Sequence, residues 1–333
     1  SLITTQVDAA IPASSYTDSR FSPTLPYNSM SNPDYMKAPN LDAIYTDNCF
    51  ALPRYAGYYN LQSSQPGGNA SAATAASAAA PWLVRGAQHL FDRFQKIMSR
   101  AYSGRNYLNV ANLSGWQWSD YYGDFATATN GLINTMNGGL MEGALGTSYG
   151  VSTWAGVRHA YNAVMDFCMS PKQVVLGCWV QGLASSLGTA DYQQARYCIS
   201  TTLMDDGYCC ISTDGANSNG ASYAVDDYVW WDEYGGNPNT NISKGWLGFP
   251  RGSRPSAAAV SGVWMRDFDN GVVLCNPKGN GARTITLAQI NTHFGSSYVL
   301  KFFKGQQLPS VNSNSTMSSV TLQDSDGILL LKA

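Results

Sequence analysis

The sequence predicts a parallel α/β sheet followed by a small antiparallel β-sandwich, and three observations carry that prediction. Compact apolar runs alternate with helically spaced segments five times along the first two thirds of the chain. After Gly245 the runs shorten and are punctuated by Asn-Gly and Asp-Gly pairs, the grammar of antiparallel hairpins. The chain has 333 residues, 44% of them hydrophobic, enough to fill about two cores at ~150 residues per domain.

Residues 1–40 are rich in Ser, Pro, Tyr and Asn and show little periodicity after a short extended start. LDAIYTDN, residues 41–48, is an apolar run ending in polar residues, as buried parallel strands do. A low-complexity Ala/Ser stretch leads to Pro81, which opens a helical pattern through Leu83, Leu90, Phe94 and Met98. A strand is predicted over 106–116, a helix over 125–136 and a short strand over 138–146. Trp154, Val157, Tyr161, Val164 and Phe167 recur at three and four, so 154–168 reads as a helix that Pro171 breaks. Strand 172–180, helix 192–204 and strand 206–212 complete the alternation. These elements define a first domain over 1–245. Residues 256–333 form the second, with Asp269-Asn270-Gly271 as its clearest turn, because Asn-Gly accepts positive φ at both central positions.

Charge narrows the function classes. Only 13% of residues are charged, about half the usual ~25%, and the net charge is −2. No basic run matches a phosphate backbone, so nucleic acid is not an expected partner. No apolar stretch approaches the ~20 residues of a membrane span, and no signal peptide is visible. The first residue is Ser rather than Met, which suggests a processed or trimmed product. The seven cysteines (Cys49, Cys168, Cys178, Cys198, Cys209, Cys210, Cys275) include no C-x-x-C pair of the kind zinc requires. They read as small buried hydrophobes, with one or two disulfides as the alternative. No phosphate-cradling glycine loop is present, and no metal or cofactor is expected.

Ligands of parallel α/β folds bind at the carboxyl ends of the strands. There the sequence places Asp47, Asn48, Asn109, Asn112, Trp116, Glu142, Trp179, Gln181 and Asp214. Of the nine tryptophans, Trp116, Trp118, Trp154, Trp179, Trp230 and Trp231 fall on or just after strand ends. Flat apolar rings beside carboxylates and amides suit a sugar, which is polar at its rim and apolar on its faces. Cleaving a glycosidic bond takes two carboxyl groups, one protonated and one ionised. Asp47 and Glu142, each at the tip of an apolar strand, are the best candidates; a helix N-cap is the structural alternative for Asp47. Asp226, Asp227, Asp232 and Glu233 flank Trp230 and Trp231 in a polar loop and could meet substrate hydroxyls or Ca²⁺, although solvated carboxylates usually do neither. The histidines His89, His159 and His293 are far apart, and no local pattern joins Cys49 or Cys178 to them as a nucleophile pair.

LDAIYTDN resembles the DG-(hydrophobic)2-x-DN strand of TIM-barrel glycoside hydrolases, the hypothetical glycosyl hydrolase families related to the endo-α-1,4-polygalactosaminidase group. Ala43 departs from the glycine usual there. VWWDEYGG, LGFPRG, VWMRDFDNGVVLCNP and DSDGILLLK resemble the end of such barrels and the sandwich that follows, so short motifs spread over 41–333 carry the likeness. In those families the Asp of the terminal DN pair on strand four acts with a Glu on strand six. The resemblance therefore implies Asp47 as nucleophile or base and Glu142 as proton donor. It also implies that a (β/α)8 barrel is represented here by strands four to eight only, incomplete at its N-terminal side. Either the chain is the carboxyl-terminal part of a longer polypeptide, or a companion segment completes the barrel, since a half-open barrel alone exposes two sheet edges.

The expectation is a glycoside hydrolase acting on a polysaccharide. Asp47 and Glu142 would be catalytic, and Asn48, Asn112, Trp116, Trp179, Gln181, Asp214 and Trp231 would bind substrate. Its rival is a non-catalytic carbohydrate-binding or structural virion component on the same scaffold. The Ser/Asn-rich, weakly charged composition suits an extracellular or virion-associated protein.

Overall fold

The structure, a computed structural model, describes residues 43–46, 108–113, 136–145, 153–180, 187–213, 245–302 and 314–333. The expected helices over 81–98 and 125–136 lie essentially outside these segments. Five strands, β1 (Ala43–Thr46), β2 (Leu108–Asn112), β3 (Gly138–Leu145), β4 (Gln173–Val180) and β5 (Tyr208–Thr213), form one sheet in the order of the sequence. Every neighbouring pair is parallel. Helix α1 (Trp154–Phe167) joins β3 to β4, and α2 (Thr189–Thr202) joins β4 to β5.

Local chemistry sets the helix limits. The Thr153 side chain accepts from the Gly156 N–H at 3.1 Å, capping α1. Asp191 in the first turn of α2 accepts from the Gly188 N–H at 2.9 Å and places a negative charge at the positive end of the helix. That acid is why α2 starts at Thr189, three residues before the sequence expectation. Both helices pack on the same face of the sheet. Val157, Ala160, Tyr161 and Val164 of α1 and Cys198 and Ile199 of α2 share one core with Ala111, Met141, Val174, Leu176 and Cys178.

The rest of the described chain is antiparallel. Strands β6 (Trp264–Asp267), β7 (Gly271–Asn276), β9 (Leu300–Phe302) and β11 (Asp326–Lys332) form a sheet ordered β6-β7-β11-β9; β8 (Arg283–Thr286) pairs with β10 (Ser319–Leu322). The two sheets close on one apolar core that includes Leu274, Ile285, Leu300, Val320, Leu322 and Leu330. A helix that hairpin grammar did not anticipate, α3 (Leu287–Phe294), lies between β8 and β9. Its signals were in the sequence: a capping box from Thr286 to Gln289 and a left-handed Gly295 at the end.

The 269–271 turn does join β6 to β7, but neither Asn270 nor Gly271 has positive φ. Packing sets this turn instead. Asn270 donates to the Trp246 carbonyl at 2.9 Å, and Asp269 accepts from the Phe249 N–H at 2.9 Å. A side chain at Gly271 would meet Leu247 and the Leu330 carbonyl at 2.7 Å, so glycine is needed there for close approach.

Strands β7 and β11 read as continuous apolar runs because their sheet is buried on both faces. Val272, Leu274, Ile328 and Leu330 point into the antiparallel core, whereas Val273, Cys275 and Leu329 point into the core of α1 and α2. Helix α2 is thus held between two sheets, and residues 195–202 are all buried. Burying such a helix requires partners for its polar groups. Arg196, 2% exposed, meets Asp326 of β11, 1% exposed, at 2.9 Å. Arg266 donates to the carbonyls of Leu203 and Asp205, Arg158 to that of Met204, and Tyr161 to that of Thr202. Those carbonyls lie at and just beyond the end of α2, and the arginines suit its negative dipole end.

Asp326→Ala would strand Arg196 without its counter-charge, and urea unfolding should show a loss of about 3–5 kcal/mol. The joint replacement Arg196→Met with Asp326→Leu should recover most of it. A loss below about 0.5 kcal/mol in the single variant would mean that the pair contributes nothing.

Candidate functional site

Strand periodicity turns two residues away from the helix layer. Asn112 lies between Ala111 and Leu113, and Glu142 follows Met141; these three neighbours all belong to the core beneath the helices. Asn112 and Glu142 therefore share the face that α1 and α2 leave uncovered, at the carboxyl-terminal end of β2 and past the middle of β3. The structure brings them together: Asn112 Nδ2 donates to Glu142 Oε2 at 2.8 Å. Asn112 is buried and Glu142 half-buried. Among the described residues no arginine, lysine or histidine pairs with the Glu142 carboxylate.

A bulge aims Glu142. Residues Gly138 to Met141 run in step with Gln173 to Leu176, but Leu145 then stands opposite Cys178, so Glu142, Gly143 and Ala144 face Gly177 alone. Gly143 takes φ +60°, a left-handed conformation that L side chains rarely adopt. Gly177 makes room for the displaced backbone: a Cβ there would come within 3.0 Å of the Met141 carbonyl and 3.1 Å of Glu142 Cα. Sequence reading missed both glycines as site residues. Their signal was present, since a lone glycine inside an apolar strand such as KQVVLGCWV marks a bulge or a close backbone approach.

Of the other expected site residues, Trp179 lies in β4 in register with Ser212. Asp47, Asn48, Trp116, Gln181, Asp214 and Trp231 lie outside the described residues, as do Trp118, Trp230 and the loop acids Asp226, Asp227, Asp232 and Glu233. Two residues read as belonging to the mouth have other roles. Trp154 packs into the junction between α1 and the antiparallel sheet, 5.5 Å from Trp264 edge-on and 6.3 Å from Tyr197. Asn109 stands near the start of β2, where its N–H donates to Asn137 Oδ1 at 2.9 Å; Asn137 in turn donates to the Pro171 carbonyl at 3.2 Å.

The cysteine nucleophile alternative loses its described member. Cys178 is buried under α2 with Gln194 at its sulfur, while His159 is exposed on α1. None of the six described cysteines is in a disulfide. Among the described residues no three metal-ligating side chains come together, and no helix is long and apolar enough to cross a membrane. Comparison of the chain with models of known families and with curated proteins finds no match.

Two measurements check this geometry. Gly177→Ala should destabilise the protein by about 1–3 kcal/mol and break the Asn112–Glu142 hydrogen bond in a crystal structure; an unshifted bulge would contradict the packing. Burial pushes the Cys168 and Cys275 thiols up to about 11. Below that pH they stay protonated, so at pH 8 maleimide should modify exposed Cys210 about tenfold faster or more. Equal rates in folded protein would contradict the assigned burial.

Proposed function

We propose that this chain is a glycoside hydrolase that cleaves a polysaccharide, with Glu142 as proton donor and Asp47 as nucleophile or base. The observation that carries the reading is the half-buried Glu142 carboxyl group, raised on a bulge of a parallel strand and held, among the described residues, by an amide rather than by a cation. A carboxyl group locked to an arginine would be tied up as a structural ion; the Asn112 amide occupies only Oε2 of Glu142. Because Oε2 accepts from Asn112, the proton of the acid form belongs on Oε1. From there it passes to the glycosidic oxygen as the bond to the leaving sugar breaks. Asp47, ionised, attacks the anomeric carbon directly or removes a proton from the water that does.

The (β/α)8 assignment belongs to the same proposal. Parallel strands paired in chain order, with successive crossover helices on one face, are what a barrel segment requires. A doubly wound sheet would reverse its order and cover both faces. A companion segment would complete the barrel. Trp116, Trp179 and Trp231 would stack on sugar rings, and Asn48, Gln181 and Asp214 would bind hydroxyls.

Release of reducing ends from a panel of polysaccharides tests the reading. Glu142→Gln and Asp47→Asn should each lower the rate by 10²–10⁴-fold. With an aryl glycoside whose leaving group needs no proton, Glu142→Gln should recover much of the loss and Asp47→Asn should not. Full activity in either variant on the polysaccharide would sink the assignment. Asn112→Ala should cost about tenfold through the lost hydrogen bond to the acid, with the protein still folded. A panel without any turnover, but with binding that depends on the tryptophans, would favour a carbohydrate-binding role instead.

A further inference from the structure

Two thiols meet where α2 crosses β5. Cys198 and Cys209, 11 residues apart in sequence, place their sulfurs 3.3 Å from one another. A disulfide needs about 2.05 Å, so bonding requires an approach of little more than 1 Å. Cys198 is fully buried, with its Sγ toward the Leu176 carbonyl. Cys209 is half-buried and in register with Leu176 of β4. A third thiol, Cys178, also touches Cys198, and Gln194 contacts its sulfur through both its carbonyl and its side-chain amide.

Access distinguishes the members of this cluster. Cys209 lines an open, mainly apolar cavity of about 360 Å³, together with Tyr208, Trp246, Leu247 and Phe268. Cys178, beneath α2, and Cys198, on the buried side of α2, are both sealed. A small neutral oxidant entering that cavity reaches Cys209 first, and the nearest thiol to what it leaves there is Cys198.

We propose that Cys198 and Cys209 are a redox pair, closed to a disulfide by a small peroxide or a low-molecular-weight disulfide that enters this cavity. With hydrogen peroxide, the Cys209 sulfur attacks one peroxide oxygen, the O–O bond breaks and one water leaves. Cys209 is then a sulfenic acid. The Cys198 sulfur attacks the Cys209 sulfur, its proton goes to the departing hydroxide, and a second water leaves as the S–S bond forms. Two thiols lose two electrons and peroxide gains them. The bond ties the buried half of α2 to β5 and does not touch the face that bears Glu142. The inference is therefore independent of the hydrolase reading.

Mass mapping of the folded full-length chain tests it. A Cys210→Ser background removes the neighbouring exposed thiol. The reduced protein is treated with oxidised glutathione or with hydrogen peroxide, quenched with N-ethylmaleimide and cut before aspartates without reduction. Cleavage before Asp205 and Asp206 separates residues 191–204, which hold Cys198, from residues 206–213, which hold Cys209. The expected product is these two fragments joined with loss of two hydrogens and parted by dithiothreitol, with a melting temperature a few degrees higher. Cys209→Ser should abolish the joined product. Cys198 joined instead to residues 166–190, which carry Cys178, would overturn the pairing. So would maleimide on both cysteines after oxidation in protein whose circular dichroism remains native.

Discussion

Helix α2 cannot be stable at its place unless both of its sides are covered. Residues 195–202 are buried without a break, and an arginine is among them. The parallel sheet covers one side through Leu176 and Cys178; the antiparallel sheet covers the other through Val273, Cys275 and Leu329. Arg196 is tolerable there only because Asp326 faces it at 2.9 Å, itself held by the N–H groups of Gln323 and Gly327. The carboxyl-terminal sheet is therefore a wall of the helix layer rather than an appendage. Arg158 and Arg266 extend the same logic to the end of α2, where one comes from α1 and the other from β6.

On the opposite face, β3 carries extra residues at Glu142–Ala144 that have to be accommodated against Gly177 of β4. The absence of a side chain at Gly177 accepts them, and Gly143 turns the backbone. The result is a carboxyl group on the face that α1 and α2 do not cover, within hydrogen-bonding reach of Asn112. The site is positioned by backbone packing more than by polar neighbours.

Much of this was legible as pattern. The parallel strands were readable because they stand as short apolar blocks between polar segments, and α1 because its apolar residues recur at three and four. Asn112 stood out as a polar residue at the end of such a block; Glu142, expected at a strand tip, lies inside β3, and the contact between the two leaves no trace in sequence spacing. Glycine roles were less legible. The Asn270-Gly271 pair looks like a primed turn, yet the segment carrying Trp246 and Phe249 imposes another geometry. Helix α3 was hidden by its length and by hairpin grammar around it, and only Ile290 of it is buried. Trp154 looked like a mouth residue because it follows a strand, but a residue that opens a helix is drawn into the helix layer.

The central claim is that Glu142 is one of two carboxyl groups flanking a scissile bond. Its most direct test is a crystal structure of the Glu142→Gln variant with a bound oligosaccharide. The account predicts that position 142 and Asp47 lie on opposite sides of one glycosidic oxygen, ~5–5.5 Å or ~6.5–9.5 Å apart according to the stereochemical course. A separation well beyond ~10 Å, or sugar bound away from position 142, would contradict it.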